Sequence, residues 1–112
     1  MAENHIGSYY AATANDRTRH PRLQGTITAD ICVVGGGFSG VATALTLAER
    51  GYRIVLLEAN RIGWGASGRN GGQIIAGISG EAAIKRQLGE AGTRLLRDIR
   101  YRGHEIIEAR VE

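Results

Sequence analysis

The sequence holds one cysteine, one proline and few aromatic residues, 5% in all. Cys32 alone permits neither an intrachain disulfide nor a zinc site built on cysteines. Set in the apolar run from Ile31 to Val34, it reads as a buried, inert thiol rather than a nucleophile. Long apolar stretches are missing too, and nothing approaches the ~20 residues of a membrane span. The opening segment MAENHIGSYYAATANDRTRH has no apolar signal-peptide core, so the expected location is cytoplasmic. Charge of one sign is scarce: the net value is +3, with a pI near 9.5. A nucleic-acid site would gather basic residues into a stripe interleaved with aromatics, and the arginines here are scattered, so no nucleic-acid partner is expected. His5 and His20 have no partner ligands nearby and His104 reads as a surface residue, so no metal centre is expected either.

Glycine, by contrast, is abundant, at 17 of 112 residues. The glycines cluster at 35–40, 63–72 and 77–80, which marks backbone-conformation sites rather than linker filler. The length allows one small domain at most.

Residues 1–26 show no sustained period and read as an irregular surface arm, with one short helical turn over Ser8–Ala12. His20-Pro21 argues against helix there. The fold class is α/β, and residues 30–58 (DICVVGGGFSGVATALTLAERGYRIVLLE) lay out a βαβ unit. A first strand spans Thr26 to Gly35, its continuous apolar run suiting a parallel strand covered on both faces. Gly35-Gly36-Gly37-Phe38-Ser39-Gly40 then forms a G-x-G-x-x-G. Gly35 permits the tight turn, Gly37 lets a pyrophosphate approach the backbone, and Gly40 lets helix and strand pack closely.

The helix runs from Phe38 to Arg50, with Val41, Leu45 and Ala48 on one face and Ala44 and Leu47 beside it. Its N-terminus is suited to phosphate, and Gly51 stops it. The second strand, Arg53 to Glu58, ends in a carboxylate 18 residues beyond Gly40, where it reaches an adenosine ribose and repels a 2′-phosphate. A tight strand–helix turn without ligand is the plain alternative.

From Ala59 to Ser79 the chain is a long glycine-rich loop, ANRIGWGASGRNGGQIIAGIS. Such a loop is functional or a flexible surface segment. Its composition suits a backbone lying along an extended ligand, with Ser67 and Asn70 for hydrogen bonds and Arg61 and Arg69 for phosphate charge. Two helical stretches follow. Glu81 to Leu88 is interrupted by Gly89 and Gly92, and Thr93 to Val111 is amphipathic. Leu95, Leu96, Ile99, Ile106, Ile107 and Val111 are its apolar positions, with Arg94, Arg97, Arg100 and Arg102 outside.

The combination of DICVVGGGFSG, LAERGY, VLLEA and RIGWGASGRNGGQ resembles the FAD-dependent amine and amino-acid oxidoreductases of the D-amino-acid-oxidase type. Within that superfamily it looks most like the gamma-glutamylputrescine oxidoreductase branch, whose members run to several times this length. The resemblance implies FAD as cofactor, a small-molecule amine as substrate, and hydride transfer from the amine to flavin. It implies the N-terminal βαβ part of a Rossmann-like FAD-binding domain over residues 27–112, followed by the Gly-rich loop and helices.

Carried over by position, Gly35, Gly37 and Gly40, with Phe38 and Ser39 between them, would cradle the pyrophosphate. Glu58 would bind the ribose, and Ala59 and Arg61 would flank the adenosine. Ala66, Ser67, Asn70, Gly71, Gly72 and Gln73 would run past the pyrophosphate and ribityl chain towards the flavin ring. Gln73 also reads as an exposed loop amide, and no catalytic residue is assigned. The pattern stops at Glu112 without a helix stop signal, so the 112 residues are expected to be marginally folded and inactive alone. A truncated, non-catalytic nucleotide-binding fragment and a piece of an NAD-dependent dehydrogenase are the alternatives; the Ser67–Gly72 loop argues against the latter.

Overall fold

A computed structural model describes residues 7–15, 18–75, 77 and 79–111. His5, Ala76, Ile78 and Glu112 therefore lie outside the described residues, as does part of the arm. The elements are α1 (Tyr9–Ala12), β1 (Ile31–Val34), α2 (Phe38–Glu49), β2 (Ile54–Leu57), a 3₁₀ turn (Ala66–Gly68) and α3 (Glu81–Val111). They fall into two compact units, 1–71 and 72–112.

In the first unit β1 and β2 are parallel neighbours, with Ile31 opposite Ile54 and Val34 opposite Leu57. Both strands are confined to their apolar runs and are shorter than the expected spans Thr26–Gly35 and Arg53–Glu58. Their shared start is set by Asp30 and Arg53, which clamp the pair from both backbone and side chain. Asp30 N–H donates to the Arg53 carbonyl at 2.9 Å, and Arg53 N–H donates to Asp30 Oδ2 at 2.8 Å. The Arg53 guanidinium adds a contact to Asp30 Oδ1 at 3.0 Å. These bonds from Arg53 hold the Asp30 carboxyl below its usual range.

The connecting helix α2 ends in a Schellman motif. Gly51, at φ +89°, donates to the Ala48 carbonyl at 2.9 Å, and Tyr52 N–H donates to Leu47 at 3.2 Å. Its half-buried side chains are Val41, Ala44, Thr46 and Leu47, whereas Leu45 and Ala48 are exposed. This corrects the expected Val41–Leu45–Ala48 face. Gly40 brings the helix against β1, so the line Gly40, Ala44, Leu47 turns inward at one- and two-turn spacing. Val33 Cγ1 lies 3.6 Å from where a Cβ on Gly40 would sit.

Only one face of β1 is covered by α2. Ile31 and Val33 are half-buried, Cys32 is exposed, and Val34 is 83% exposed. The expectations of a buried thiol and of a strand covered on both faces are therefore corrected. An apolar run records what both faces can tolerate, while coverage depends on a second element packing there.

In the second unit α3 is broken at Gly89, where φ is 62° and ψ −157°. Glu81 and Arg100 would stand ~28 Å apart on a straight helix, yet Arg100 Nη2 meets Glu81 Oε2 at 2.9 Å. The break thus folds the second leg back on the first. Gly92 is helical and buried against Leu88 rather than an interruption. Arg100, expected outside, has a side chain only 19% exposed, and His104, expected at the surface, is half-buried. No described helix is long and apolar enough to cross a membrane.

Among the described residues only Gly36 and Gly92 are buried, and no apolar side chain is. Cooperative unfolding scales with the surface that folding removes from water. The 112-residue polypeptide alone is therefore expected to unfold in urea over a broad range, with a slope below the ~1–3 kcal/mol per molar of small domains. A steep transition in far-ultraviolet circular dichroism would contradict this.

Candidate cofactor site

The glycine turn after β1 and the glycine-rich loop after β2 converge on the N-terminus of α2. Gly35 leaves the strand at φ +102°, with its N–H donating to the Leu57 carbonyl at 2.8 Å. A Cβ on Gly40 would overlap the Gly35 carbonyl oxygen, so only glycine lets the helix start this close to the strand. Gly37 occupies the N-cap position and has no side chain with which to cap. By helix geometry the first N–H groups of α2 lack intrahelical acceptors.

Ser67 takes up that role from 29 residues away: Phe38 N–H donates to Ser67 Oγ at 3.0 Å. A Cβ on Gly37 would approach the same Oγ to 2.9 Å, so Gly37 admits the serine hydroxyl to the helix end. Gly68, beside it, packs so tightly on Gly63 that a Cβ would overlap the Gly63 carbonyl. The loop glycines thus shape the loop itself, in addition to any ligand approach.

Between these contacts lies Gly36. Its N–H donates to Glu58 Oε2 at 2.6 Å, and its carbonyl accepts from Gly63 N–H at 2.9 Å. A Cβ there would come within 2.6 Å of Ile62 Cδ1 and 3.2 Å of Glu58 Cβ. Glu58 Oε1 accepts from Asn60 N–H at 2.9 Å. The Gly36 N–H first, and the Asn60 N–H after it, hold the Glu58 carboxyl below its usual range by stabilising the anion. A carboxylate offers about four acceptor positions, more than the backbone donors around Glu58 fill. Ala59 and Arg61 border an open groove beside Glu58, with Val41, Leu45 and Leu57 on its other walls.

The model of one protein family, described as FAD dependent oxidoreductase, matches residues 30–110. The chain belongs to that family of FAD-dependent oxidoreductases. Gamma-glutamylputrescine oxidoreductase of Escherichia coli K12 is 47% identical over 109 residues, covering 96% of this chain and 26% of the relative. Probable oxidoreductase OrdL of Haemophilus influenzae is 40% identical over 111 residues, covering 98% and 26%. Nicotine dehydrogenase of Pseudomonas putida is 42% identical over 60 residues, covering 52% and 12%. The chain therefore spans about a quarter of the length of the first two relatives. No solved structure gives a significant match. FAD is the family's cofactor, and the donor set of this site fits it: helix N–H groups and a hydroxyl for phosphate oxygens, a carboxylate for sugar hydroxyls.

The first unit holds Gly35, Gly37, Phe38, Ser39, Gly40, Glu58, Ala59, Arg61, Ala66, Ser67, Asn70 and Gly71, whereas Gly72 and Gln73 fall in the second unit and are exposed. Asn70 directs its amide nitrogen to the Ala66 and Ser67 carbonyls at 3.3 and 2.8 Å. Arg69, expected as phosphate charge, instead turns its Nε towards the Trp64 and Gly65 carbonyls at 3.2 and 3.3 Å. Sequence reasoning missed Gly36 and Ile62. The only signal for the former was a third consecutive glycine where the fingerprint requires two.

Glu58 yields a signed pH dependence. Its folded pKa lies below the ordinary 4.5, so its contribution is complete above that value and is lost as pH falls through the folded pKa. Amide exchange at Gly36 is expected to accelerate in acid beyond its intrinsic rate, and Glu58→Gln is expected to remove that pH-dependent excess. Gly40→Ala is expected to cost ~1–3 kcal/mol through the clash with Gly35, read as a lowered denaturation midpoint in the full-length product containing these residues.

Proposed function

We propose that residues 27–112, preceded by an arm over 1–26, are part of the FAD-binding domain of a cytoplasmic oxidoreductase that oxidises an amine at a C–N bond by hydride transfer to flavin. The proposed substrate is gamma-glutamylputrescine or a related amine or amino acid. The observation carrying this reading is the joining of two glycine-rich segments at one helix end, with Ser67 at Phe38 N–H and Glu58 at Gly36 N–H. The substrate class rests on the likeness to gamma-glutamylputrescine oxidoreductase.

In this reading the N-terminus of α2, Gly37 and Ser67 receive the pyrophosphate; Phe38 N–H holds the Ser67 hydroxyl in place, and Ser39 and Gly40 supply backbone N–H groups. Glu58 accepts from the ribose hydroxyls, and its negative charge disfavours a 2′-phosphate. Ala59 and Arg61 flank the adenosine. Ala66, Asn70, Gly71, Gly72 and Gln73 carry the chain along the ribityl side. FAD supplies the hydride acceptor when bound. These residues contribute binding and orientation, and none of them is assigned a proton transfer.

The test takes the longest translated product that contains residues 1–112. It is expected to purify with bound flavin, which bleaches under anaerobic conditions on addition of gamma-glutamylputrescine or a related primary amine. The 112-residue polypeptide alone is expected to show no turnover. Absence of flavin, or bleaching by a hydroxy acid and by no amine, would refute the proposal.

A further inference from the structure

We propose that Arg69 is a positioning residue for the cofactor's pyrophosphate. It holds the 3₁₀ turn that presents the Ser67 hydroxyl to the N-terminus of α2, and does not itself serve as a phosphate ligand. The inference rests on the FAD reading above for what the site holds, but its geometry stands independently of it.

An arginine in a glycine-rich loop invites a direct phosphate role, and the side-chain placement argues otherwise. The Arg69 guanidinium carbon lies over the Trp64 ring, 4.9 Å from its centroid, as a cation–π contact. Its Nε donates to both Trp64 and Gly65 carbonyls. Asn70 Nδ2 takes the next two carbonyls, those of Ala66 and Ser67. Four successive carbonyls, 64 to 67, thus receive side-chain donors from the two residues that follow the turn. These bonds fix the backbone on both sides of Ser67, whose Oγ meets Phe38 N–H at 3.0 Å.

The turn is anchored from below as well. Gly68 sits on the Gly63 carbonyl without room for a Cβ, and Gly63 N–H donates to Gly36. The physical line runs from Arg69 through the turn to Ser67 and on to the first N–H of α2. A cation over the ring together with an Nε donor further back on the same side chain is particular to guanidinium; a lysine keeps the charge but has no second nitrogen to donate. Lysine therefore separates the two roles. A phosphate ligand tolerates Arg69→Lys as a point charge, whereas a positioning residue does not.

The experiment compares wild type, Arg69→Lys, Arg69→Ala, Ser67→Ala and Arg69→Lys/Ser67→Ala in the longest translated product that contains these residues. Two readouts are taken. Without FAD, amide exchange in the first turn of α2 is expected to accelerate in all four variants while the last turn is unchanged. With FAD, both Arg69 variants are expected to raise Kd by about fivefold, comparable to the loss of one helix cap. The double variant is expected to be no weaker than Ser67→Ala, because the two residues act through one contact.

Wild-type Kd in Arg69→Lys with a rise confined to Arg69→Ala would overturn the inference, as would additive losses in the double variant. Faster exchange along the whole of α2 would also overturn it, because it would mark general loosening. If the wild-type protein binds no FAD, the functional reading fails while the exchange arm still decides the role of Arg69.

Discussion

The backbone of Gly36 is the point on which the first unit depends. Its N–H is held by a carboxylate at the end of β2, and its carbonyl by an N–H of the loop that follows β2. Buried peptide groups must find partners, and here both partners come from the segment after β2. The bond to Glu58, at 2.6 Å, is a charge-assisted one, roughly twice as strong as a neutral pair. It fixes where the carboxylate stands relative to α2. The bond from Gly63 fixes where the second glycine-rich segment begins its path across the helix end.

Two pairs of close approach extend this arrangement to either side. Gly40 on Gly35 sets helix against strand, and Gly68 on Gly63 sets the 3₁₀ turn against its own approach. Neither pair involves a side chain. Backbone contacts of this kind define geometry closely but remove little apolar surface from water, so they confer position more than stability. This accounts for a unit in which the site is well shaped although no described apolar side chain is buried.

The βαβ outline was legible because it is written in patterns with local causes. The apolar runs, the spacing of Gly35, Gly37 and Gly40, and the Gly51 cap each follow from backbone geometry within a few residues. Cys32 was misread because burial is a property of what lies opposite, and Ile31–Val34 looks the same whether one face or two are covered. Arg100 was misread for a related reason. Its partner Glu81 is distant in sequence and approaches only through the break at Gly89. Gly36 was passed over because the fingerprint leaves its position unspecified, and its constraint comes from Ile62 and Glu58. Arg69 has the composition of a phosphate ligand, and only its orientation over Trp64 distinguishes the two uses.

The site's polarity then follows from which groups donate and which accept. Phe38 N–H and the neighbouring helix amides form a donor end, capped by the Ser67 hydroxyl. Glu58, held ionised by Gly36 and Asn60, forms an acceptor end. The two ends are tied to residues 36 and 38 of one short turn, so the proposed ligand would meet them with hydroxyl donors and phosphate acceptors set close together. A nucleotide has that order in its ribose and phosphate groups. Any dinucleotide shares it, which is why residues 30–58 alone do not select among cofactors. In the proposed reading, selection falls to the second segment, where Ser67 meets the helix from a turn whose carbonyls Arg69 and Asn70 hold. In that reading the Trp64–Asn70 stretch, joined to the helix end through Ser67, is what favours FAD over an NAD-type ligand.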